Sequence, residues 1–212
     1  RSTQSRSSAA SDGYKRQVYY WELTGTVNIM DGQAVVATLG DPTGTVPTYV
    51  MFKGDPQVNL SFAVQSGPSN TSFTITSSLL SFDPIVNAVG RASVAFSVTD
   101  FLGGGATLTG GGPGGGAYLA QYNGFVPGGS TFCEVVDQII APEFGSATMD
   151  INVPGSGYDP IAGAVYNMSS MISFTLSPYD LASGTSNFEI VPEPASLALL
   201  VVAGIATAWR RR

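Results

Sequence analysis

The strongest constraint on the fold is a two-residue alternation of apolar and polar side chains that recurs through the middle of the chain. Phe73 and Ile75, for example, alternate with Ser72, Thr74 and Thr76. The same pattern occurs over residues 21–29, 59–65, 94–98 and 172–177. A period of two with one polar face indicates half-buried antiparallel strands, because successive side chains of a strand point to opposite faces of a sheet.

Turn signals divide the rest of this region into further strands, predicted at residues 33–39, 48–53, 131–139 and 147–153. No interior segment keeps a 3.6-residue apolar repeat. Roughly ten short strands joined by Gly-, Pro- and Asp-rich turns predict an all-β fold, an antiparallel sandwich or jelly roll, for residues 18–190. Residues 110–116 are Gly and Pro alone, which predicts a flexible loop without the following helix or lysine that a phosphate cradle needs.

The residue types that are missing exclude several chemistries. The chain has no histidine and one cysteine, Cys133. It therefore cannot form a Ser-His-Asp triad, a Cys-His pair, a histidine metal site or an internal disulfide. Cys133 is expected to be a small buried hydrophobe, the usual setting of a free cysteine. These absences leave the carboxylates as the abundant reactive groups.

Five acids are predicted on strands or at strand ends: Glu22, Asp100, Glu134, Asp137 and Asp150. Two carboxylates across a cleft suffice for glycoside hydrolysis. Nothing in the sequence pairs any two of them, and most other aspartates precede Gly or Pro, where a turn explains them. Calcium is the metal that suits an acidic β-protein, but the spacing of a calcium loop is absent. We expect no enzyme activity, no cofactor and no catalytic or metal site.

The charge distribution argues against nucleic acid as a partner. Between residues 18 and 209 the chain has fourteen Asp and Glu against Lys53 and Arg91, which gives a net charge of −12. A surface so poor in cations does not hold a phosphate backbone.

Residues 1–17 differ from the middle in being polar, cationic and free of hydrophobic periodicity. They predict a disordered leader, and they lack the apolar core of a signal peptide. The string SSAASDGYKRQ also resembles translated sequencing-adapter sequence. That resemblance implies that residues 1–17 are an artefact and that the natural N-terminus, with any signal peptide, is not in this sequence.

The C-terminal residues 191–212 have three parts in order. Val191, Pro192, Glu193, Pro194 and Ala195 form a proline motif that cannot be regular helix or central strand. An uncharged apolar run to Trp209 follows, and Arg210, Arg211 and Arg212 end the chain as a basic stop. The large side chains of the predicted membrane anchor are Leu197, Leu199, Leu200, Val201, Val202, Ile205 and Trp209.

The apolar run is short for a membrane span. As a helix, residues 195–209 would extend about 22 Å, against a hydrocarbon core of roughly 30 Å. Snorkelling arginines, an interfacial tryptophan and local thinning offset part of that difference. A single short transmembrane helix that anchors weakly is the favoured interpretation. The alternative is a buried C-terminal helix of the domain.

This three-part tail resembles the PEP-CTERM sorting signal of exopolysaccharide-producing Gram-negative bacteria. The resemblance implies export by a signal peptide and a transient anchor in the inner membrane. It also implies that exosortase, a membrane enzyme, recognises Pro192, Glu193 and Pro194 and processes the chain near them. The protein is then expected at the cell surface or in the extracellular matrix, with exopolysaccharide as a further candidate partner.

Three functions follow from these observations. The leading hypothesis is an exported, non-catalytic β-sandwich with a structural or adhesive role. The alternative is a carbohydrate-binding module in the same location, for which Tyr19, Tyr20, Trp21, Tyr118 and Tyr122 could stack on sugars. The third is a carboxylate-based glycoside hydrolase, which needs two acids about 5–10 Å apart in a cleft.

Overall fold

A computed structural model describes residues 3–5 and 18–193, and the regular secondary structure in this part of the chain is entirely β. Its strands are β1 (Thr3–Ser5), β2 (Val18–Leu23), β3 (Val27–Asp31), β4 (Ala34–Leu39), β5 (Thr48–Lys53), β6 (Gln57–Ser66), β7 (Thr71–Thr76), β8 (Leu80–Ile85), β9 (Ala88–Thr99), β10 (Ala106–Gly110), β11 (Tyr118–Tyr122), β12 (Ser130–Val135), β13 (Gln138–Ala141), β14 (Ser146–Val153), β15 (Asp159–Pro160), β16 (Val165–Leu176) and β17 (Leu181–Pro192). The all-β prediction is confirmed.

Ten of these strands form the larger sheet, which we call sheet A. Its main order is β1-β2-β5-β6-β17-β9-β14, and every pairing is antiparallel. β4 pairs with β6 beyond the end of β5 and carries β3 as a hairpin partner, while β15 pairs with β9. β17 lies at the centre, since it pairs with β6 on one side and β9 on the other.

The smaller sheet, sheet B, is built around β16. β11 and β10 pair with successive parts of β16 on one side, and β8 and β7 do so on the other. β12 extends the sheet beyond β11, and β13 extends it beyond β10. Strands adjacent in space are often far apart in sequence, so the strand order could not be predicted from local patterns.

The two sheets pack face to face through the apolar side chains that alternation places on their inner faces. The ring of Phe62 on β6 contacts Phe96 on β9, with centroids 5.4 Å apart, and Phe174 on β16, with centroids 5.5 Å apart. Phe174 in turn contacts Phe73 on β7. The main buried cluster draws residues from both sheets, which makes the domain a sandwich.

Two predicted strands are each divided in the structure. Residues 21–29 were expected to form one half-buried strand, but Gly25 has a φ of +83° and separates β2 from β3. β3 is exposed along its whole length, so Val27 and Ile29 do not share a buried face with Trp21. Residues 131–139 also form two strands, because Val136 has a φ of 70° and interrupts the extended backbone. A β-branched residue is rarely found there, so the sequence carried no signal for this break.

The predictions for the tail fall largely outside the described residues. Among the residues that the structure describes, no helix is long and apolar enough to cross a membrane. The motif residues Pro194 and Ala195, the anchor residues Leu197, Leu199, Leu200, Val201, Val202, Ile205 and Trp209, and the basic stop Arg210, Arg211 and Arg212 all lie outside them. The transmembrane helix remains a prediction.

Candidate functional site

The first candidate site is the end of β17, where the proline motif begins. Val191 pairs with Val89 and Pro192 with Ala88, so β17 extends two residues into the motif. The Glu193 N–H then donates a hydrogen bond of 2.9 Å to the carbonyl of Asn87. Val191 and Pro192 thus lie on a strand, but in a part of it that is paired on one side only.

Proline is accepted in β17 because the strand is no longer central at this point. Pairing with β6 ends at Glu189 opposite Gln57, so β9 is the one paired neighbour of Val191 and Pro192. A proline, which has no N–H, is compatible with a strand whose second side is open. The motif therefore starts on the sheet itself, without a linker between the sandwich and Val191.

The second candidate site is a polar groove of about 400 Å³ on the outer face of sheet A. We call it the outer-face groove. Its lining residues come from β5, β6, β9, β14 and β17: Tyr49, Asn59, Ser93, Val94, Ala95, Asp150, Asn152, Thr185, Ser186 and Asn187. Its volume lies within the range of small-ligand sites, roughly 300–1,000 Å³.

The register of sheet A explains how these residues meet. In one row across the sheet, Ser61 lies opposite Thr185, Thr185 opposite Ala95, and Ala95 opposite Asp150. Their neighbours on each strand point inward to the core, because side chains alternate along a strand. Small side chains on β6, β17 and β9 thus form a low floor, and the larger Tyr49 on β5 stands at one side of it.

Tyr49, on that side of the groove, packs against a second tyrosine, Tyr20. The rings of Tyr49 and Tyr20 lie 5.5 Å apart between centroids, with an angle of 36° between their planes. The hydroxyl of Tyr20 donates a 2.9 Å hydrogen bond to a carboxylate oxygen of Glu22. Burial, together with this acceptor and its negative charge, raises the pKa of Tyr20 above 10.0. Tyr20 therefore remains a neutral donor that fixes the Glu22 carboxylate.

The next row of the floor carries amides. Asn59 on β6 lies opposite Asn187 on β17, which lies opposite Ser93 on β9, and Ser93 lies opposite Asn152 on β14. The side-chain nitrogen of Gln57 donates a 2.7 Å hydrogen bond to Oδ1 of Asn187 and orients that amide. Nδ2 of Asn59 is buried and has no hydrogen-bond partner within the part of the chain that the structure describes. Buried polar groups are normally paired, so this nitrogen is an available donor on the floor.

A charged cluster lies in the next row on the same face, two residues further along each strand than the amide row. Nε of Arg91 and a carboxylate oxygen of Glu189 form an ion pair of 2.8 Å. The hydroxyl of Tyr158 donates to the same oxygen at 3.3 Å, and the Arg91 guanidinium lies 4.9 Å from the centre of the Tyr158 ring. Burial and the Glu189 charge raise the pKa of Tyr158, against the opposing effect of Arg91. Arg91, one of the two basic residues among residues 18–193, is therefore already neutralised.

The candidate acids are distributed over both sheets. Glu22 on β2 and Asp150 on β14 face the same side of sheet A, but five strand spacings separate them, which is about 24 Å. Glu134 lies on β12 in sheet B and accepts hydrogen bonds from the N–H groups of Gly114 and Gly116 at 2.8 and 3.1 Å. It thereby fixes the glycine-rich loop. Asp137 follows β12 in the same sheet.

Asp100 stabilises the loop that follows β9 by accepting hydrogen bonds from backbone N–H groups. Its carboxylate accepts hydrogen bonds from the N–H groups of Phe144 (2.9 Å), Gly105 (3.0 Å), Gly103 (3.0 Å) and Leu102 (3.2 Å). The Phe144 N–H has the largest effect, and together these donors hold the pKa of Asp100 below 3.8 despite burial. Asp100 is thus committed to backbone donors. No group of three or more potential metal-binding side chains occurs among the described residues.

Two further residues considered in the sequence, Cys133 and Tyr118, are buried in the core. Burial raises the pKa of the Cys133 thiol to about 12, so this cysteine is the inert hydrophobe that was expected. Tyr118 is fully buried in the core and cannot stack on a ligand. Of the predicted aromatic residues, Tyr20 lies beside the groove. Tyr49 and Asn187, which line it, were missed, since neither has a local signal and only the long-range register brings them together.

Comparisons with known structures give weak likenesses. The carbohydrate-binding module CBM6cm-2 of Cellvibrio mixtus lichenase 5A, solved in complex with cellotriose, is 14% identical over 78% of this chain and 95% of its own, with a TM-score of 0.23. The VP2 subviral particle of infectious bursal disease virus is 13% identical over 72% of this chain and 49% of its own, with a TM-score of 0.15. TM-scores this low establish no shared topology. The curated proteins contain no match.

The comparison with protein families identifies the tail. Residues 191–212 match the PEP-CTERM protein-sorting motif. The match begins at Val191, the residue at which β17 enters the proline motif. It confirms the resemblance found in the sequence, and the chain is a protein with a C-terminal PEP-CTERM sorting motif.

Proposed function

We propose that this protein is an exported, non-catalytic component of the cell surface or extracellular matrix, delivered by exosortase through its C-terminal motif. The observation that carries this proposal is the motif match at residues 191–212, which begins on the last two residues of β17. Val191–Ala195 is the recognition segment, residues 195–209 are a transient anchor in the inner membrane, and Arg210–Arg212 are its basic stop. Residues 18–190 are the domain that is delivered.

The way β17 ends supports such a route. Two residues of the motif are held by β9 alone, and the Glu193 N–H makes one further bond to Asn87. A strand end with one paired neighbour opens more easily than a central strand. The enzyme can therefore reach the motif without disturbing the nine paired positions that join β17 to β6. A short apolar anchor is also held weakly enough to be given up after processing.

The positions of the acids support a non-catalytic role. Glycoside hydrolysis needs two carboxylates within about 10 Å of each other, and Glu22 and Asp150 are more than twice that distance apart. Asp100 and Glu134 are engaged with backbone N–H groups. These positions favour a non-catalytic role over the hydrolase hypothesis. A carbohydrate-binding role is the second candidate function, favoured by the polar outer-face groove.

Intact-mass spectrometry tests the sorting proposal. The chain is expressed behind a functional signal peptide in a host with exosortase and in the matched exosortase deletion. We expect a product shortened near the motif in the first host and the full C-terminus in the second. A double Pro192→Ala, Pro194→Ala variant should block processing, whereas Pro142→Ala, at an exposed loop position, should not. An uncut C-terminus in the exosortase-positive host would refute the proposal.

A further inference from the structure

We infer that the outer-face groove binds an uncharged polysaccharide chain. This inference deepens the proposed function by naming a ligand for the delivered domain, and it rests on that function for the location in which such a polymer is met. The argument uses the chemistry of the floor, the position of its unpaired groups and the charge of the surrounding surface.

The floor offers the mixture of donors and acceptors that vicinal hydroxyl groups require. A sugar hydroxyl both donates and accepts, so its site needs groups of both kinds within a short distance. Asn59, Asn187 and Asn152 provide amides in one row, Thr185 provides a hydroxyl in the next, and Asp150 provides a carboxylate acceptor. No described residue forms a hydrogen bond or ion pair with the Asp150 carboxylate, which is exposed on β14.

Asn59 gives the most specific indication of a ligand. Its Nδ2 is buried, yet it donates to no atom in the described chain. Leaving a buried amide unpaired is unfavourable, and a ligand hydroxyl that accepts from it would remove that cost. The adjacent Asn187 differs in having its Oδ1 fixed by Gln57, so that its remaining nitrogen points to a defined position. The row therefore contains one unpaired donor, on Asn59, beside one oriented amide, on Asn187.

The aromatic side of the groove provides a surface for a sugar ring. Tyr49 is half-buried, borders the floor and is supported from behind by Tyr20. A supported ring loses little conformational freedom on binding, which favours contact with an apolar sugar face. The groove crosses five strands, from β5 to β14, a width of about 19 Å. That width suits several residues of a polymer better than a single monosaccharide.

The charge of the domain decides between neutral and acidic polymers. The described residues 18–193 contain fourteen acids and two bases, a net charge of −12. Asp150 lies in the groove. Of the two bases, Arg91 is paired with Glu189, and Lys53 lies on β5 four residues after Tyr49. An anionic polysaccharide would meet net repulsion, because one lysine does not offset the fourteen carboxylates. A neutral chain pays no such penalty, and the Asp150 carboxylate is then a strong acceptor for its hydroxyl groups.

Affinity electrophoresis with purified protein tests this inference. The full chain is kept in a detergent without a sugar head group and run through native gels that contain barley β-glucan, xyloglucan, galactomannan or dextran, with alginate as the acidic comparison. We expect retardation by at least one neutral polymer and none by alginate. Asn59→Ala should weaken binding about three- to tenfold and Asp150→Ala about tenfold or more, the range for hydrogen bonds to neutral and charged groups.

These two variants are suited to the test because neither removes a hydrogen bond within the described fold. Asp83→Ala on β8 of sheet B makes the same charge change away from the groove and should leave binding unchanged. The inference is overturned if no neutral polymer retards the protein, if both groove variants bind like the wild type, or if Asp150→Ala creates strong binding to alginate. Processing of the tail is measured separately by mass, so failure of one proposal does not imply failure of the other.

Discussion

Gly184 is a position where a single methyl group should measurably destabilise the sandwich. It lies in the middle of β17, directly opposite Phe62 on β6 and Phe96 on β9. The two rings meet edge to face at 5.4 Å and 84°. A Cβ atom at Gly184 would lie against Cδ1 of Phe96, 2.7 Å from the carbonyl oxygen of Ala95 and 2.9 Å from Cε1 of Phe62.

Gly184→Ala therefore overpacks the core. Because Ala95 contributes backbone and the rings are enclosed, none of these atoms can move cheaply. Overpacking of this kind costs typically 1–3 kcal/mol, and replacing a strand glycine by alanine returns about 0.5–1 kcal/mol. The overlap with a backbone oxygen places the overpacking cost in the upper part of that range, about 2–3 kcal/mol. The expected net loss in the free energy of unfolding is then about 1–2.5 kcal/mol, or roughly 2–10 °C in Tm for a domain of this size.

Urea denaturation and thermal unfolding of both proteins measure this difference. Gly155→Ala is a matched control, since a Cβ there has no neighbour within 4 Å and Gly155 has no positive φ. It should be neutral or stabilising by about 0.4–1 kcal/mol. Adding Phe96→Leu to Gly184→Ala should cost less than the sum of the two single changes, because the smaller side chain relieves the overlap. A Gly184→Ala protein as stable as the wild type would refute this account of the glycine.

Three further predictions concern titratable groups. Burial alone would raise the pKa of Asp41, but hydrogen bonds from Thr45, Thr43 and Val46 outweigh burial and hold this pKa well below 3.8. Asp41→Asn should therefore lower the free energy of unfolding by about 2 kcal/mol at pH 7, as measured by urea titration. The loss should become smaller as the pH falls below the ordinary aspartate range, because protonation there removes the contribution of the carboxylate. Burial and the nearby charge of Asp100 raise the pKa of Asp180 above 3.8, against the hydrogen bond from Ser177. The stabilising effect of the protonated Asp180 carboxyl is therefore lost as the pH rises through its raised pKa. The free energy of unfolding of Asp180→Asn should accordingly rise relative to that of the wild type between pH 3 and pH 7. A difference between the two proteins that stays constant over this range would contradict the prediction. Cys133, buried and with its pKa raised, should resist iodoacetamide at pH 8 in the folded protein and react fully in urea, as mass spectrometry would show.

The sequence allowed the local structure to be predicted where alternation and turn residues agree. Residues 48–53 form β5 as predicted, and Phe62 and Phe96 point into the core as their alternation requires. The errors have local causes that composition does not reveal. Val136 adopts a left-handed backbone conformation that β-branched residues rarely accept, so nothing in the sequence marks the break between β12 and β13. Pro192, which was predicted not to lie in a central strand, is in a part of β17 that β6 no longer pairs.

The two candidate sites differ in how far they could be predicted. The sorting motif is contiguous, so its order of proline, apolar and basic segments can be recognised without a fold. The outer-face groove joins Tyr49, Asn59, Asp150 and Asn187, which are brought together only by the pairing of five strands. Each of these residues taken alone is ordinary for a strand. Their meeting depends on strand order, which short-range patterns do not determine.

β17 connects the two proposals. Thr185 and Asn187 line the groove on the strand that ends in Val191 and Pro192, and Glu193 lies six positions after Asn187. At about 3.4 Å per residue, a polymer in the groove lies roughly 20 Å from the point where the motif leaves the sheet. A protein released from its membrane anchor needs another attachment to stay at the surface. If both proposals hold, a groove this close to the anchored end can contact a polysaccharide before processing, and we expect the bound polymer to retain the domain once the tail has been removed.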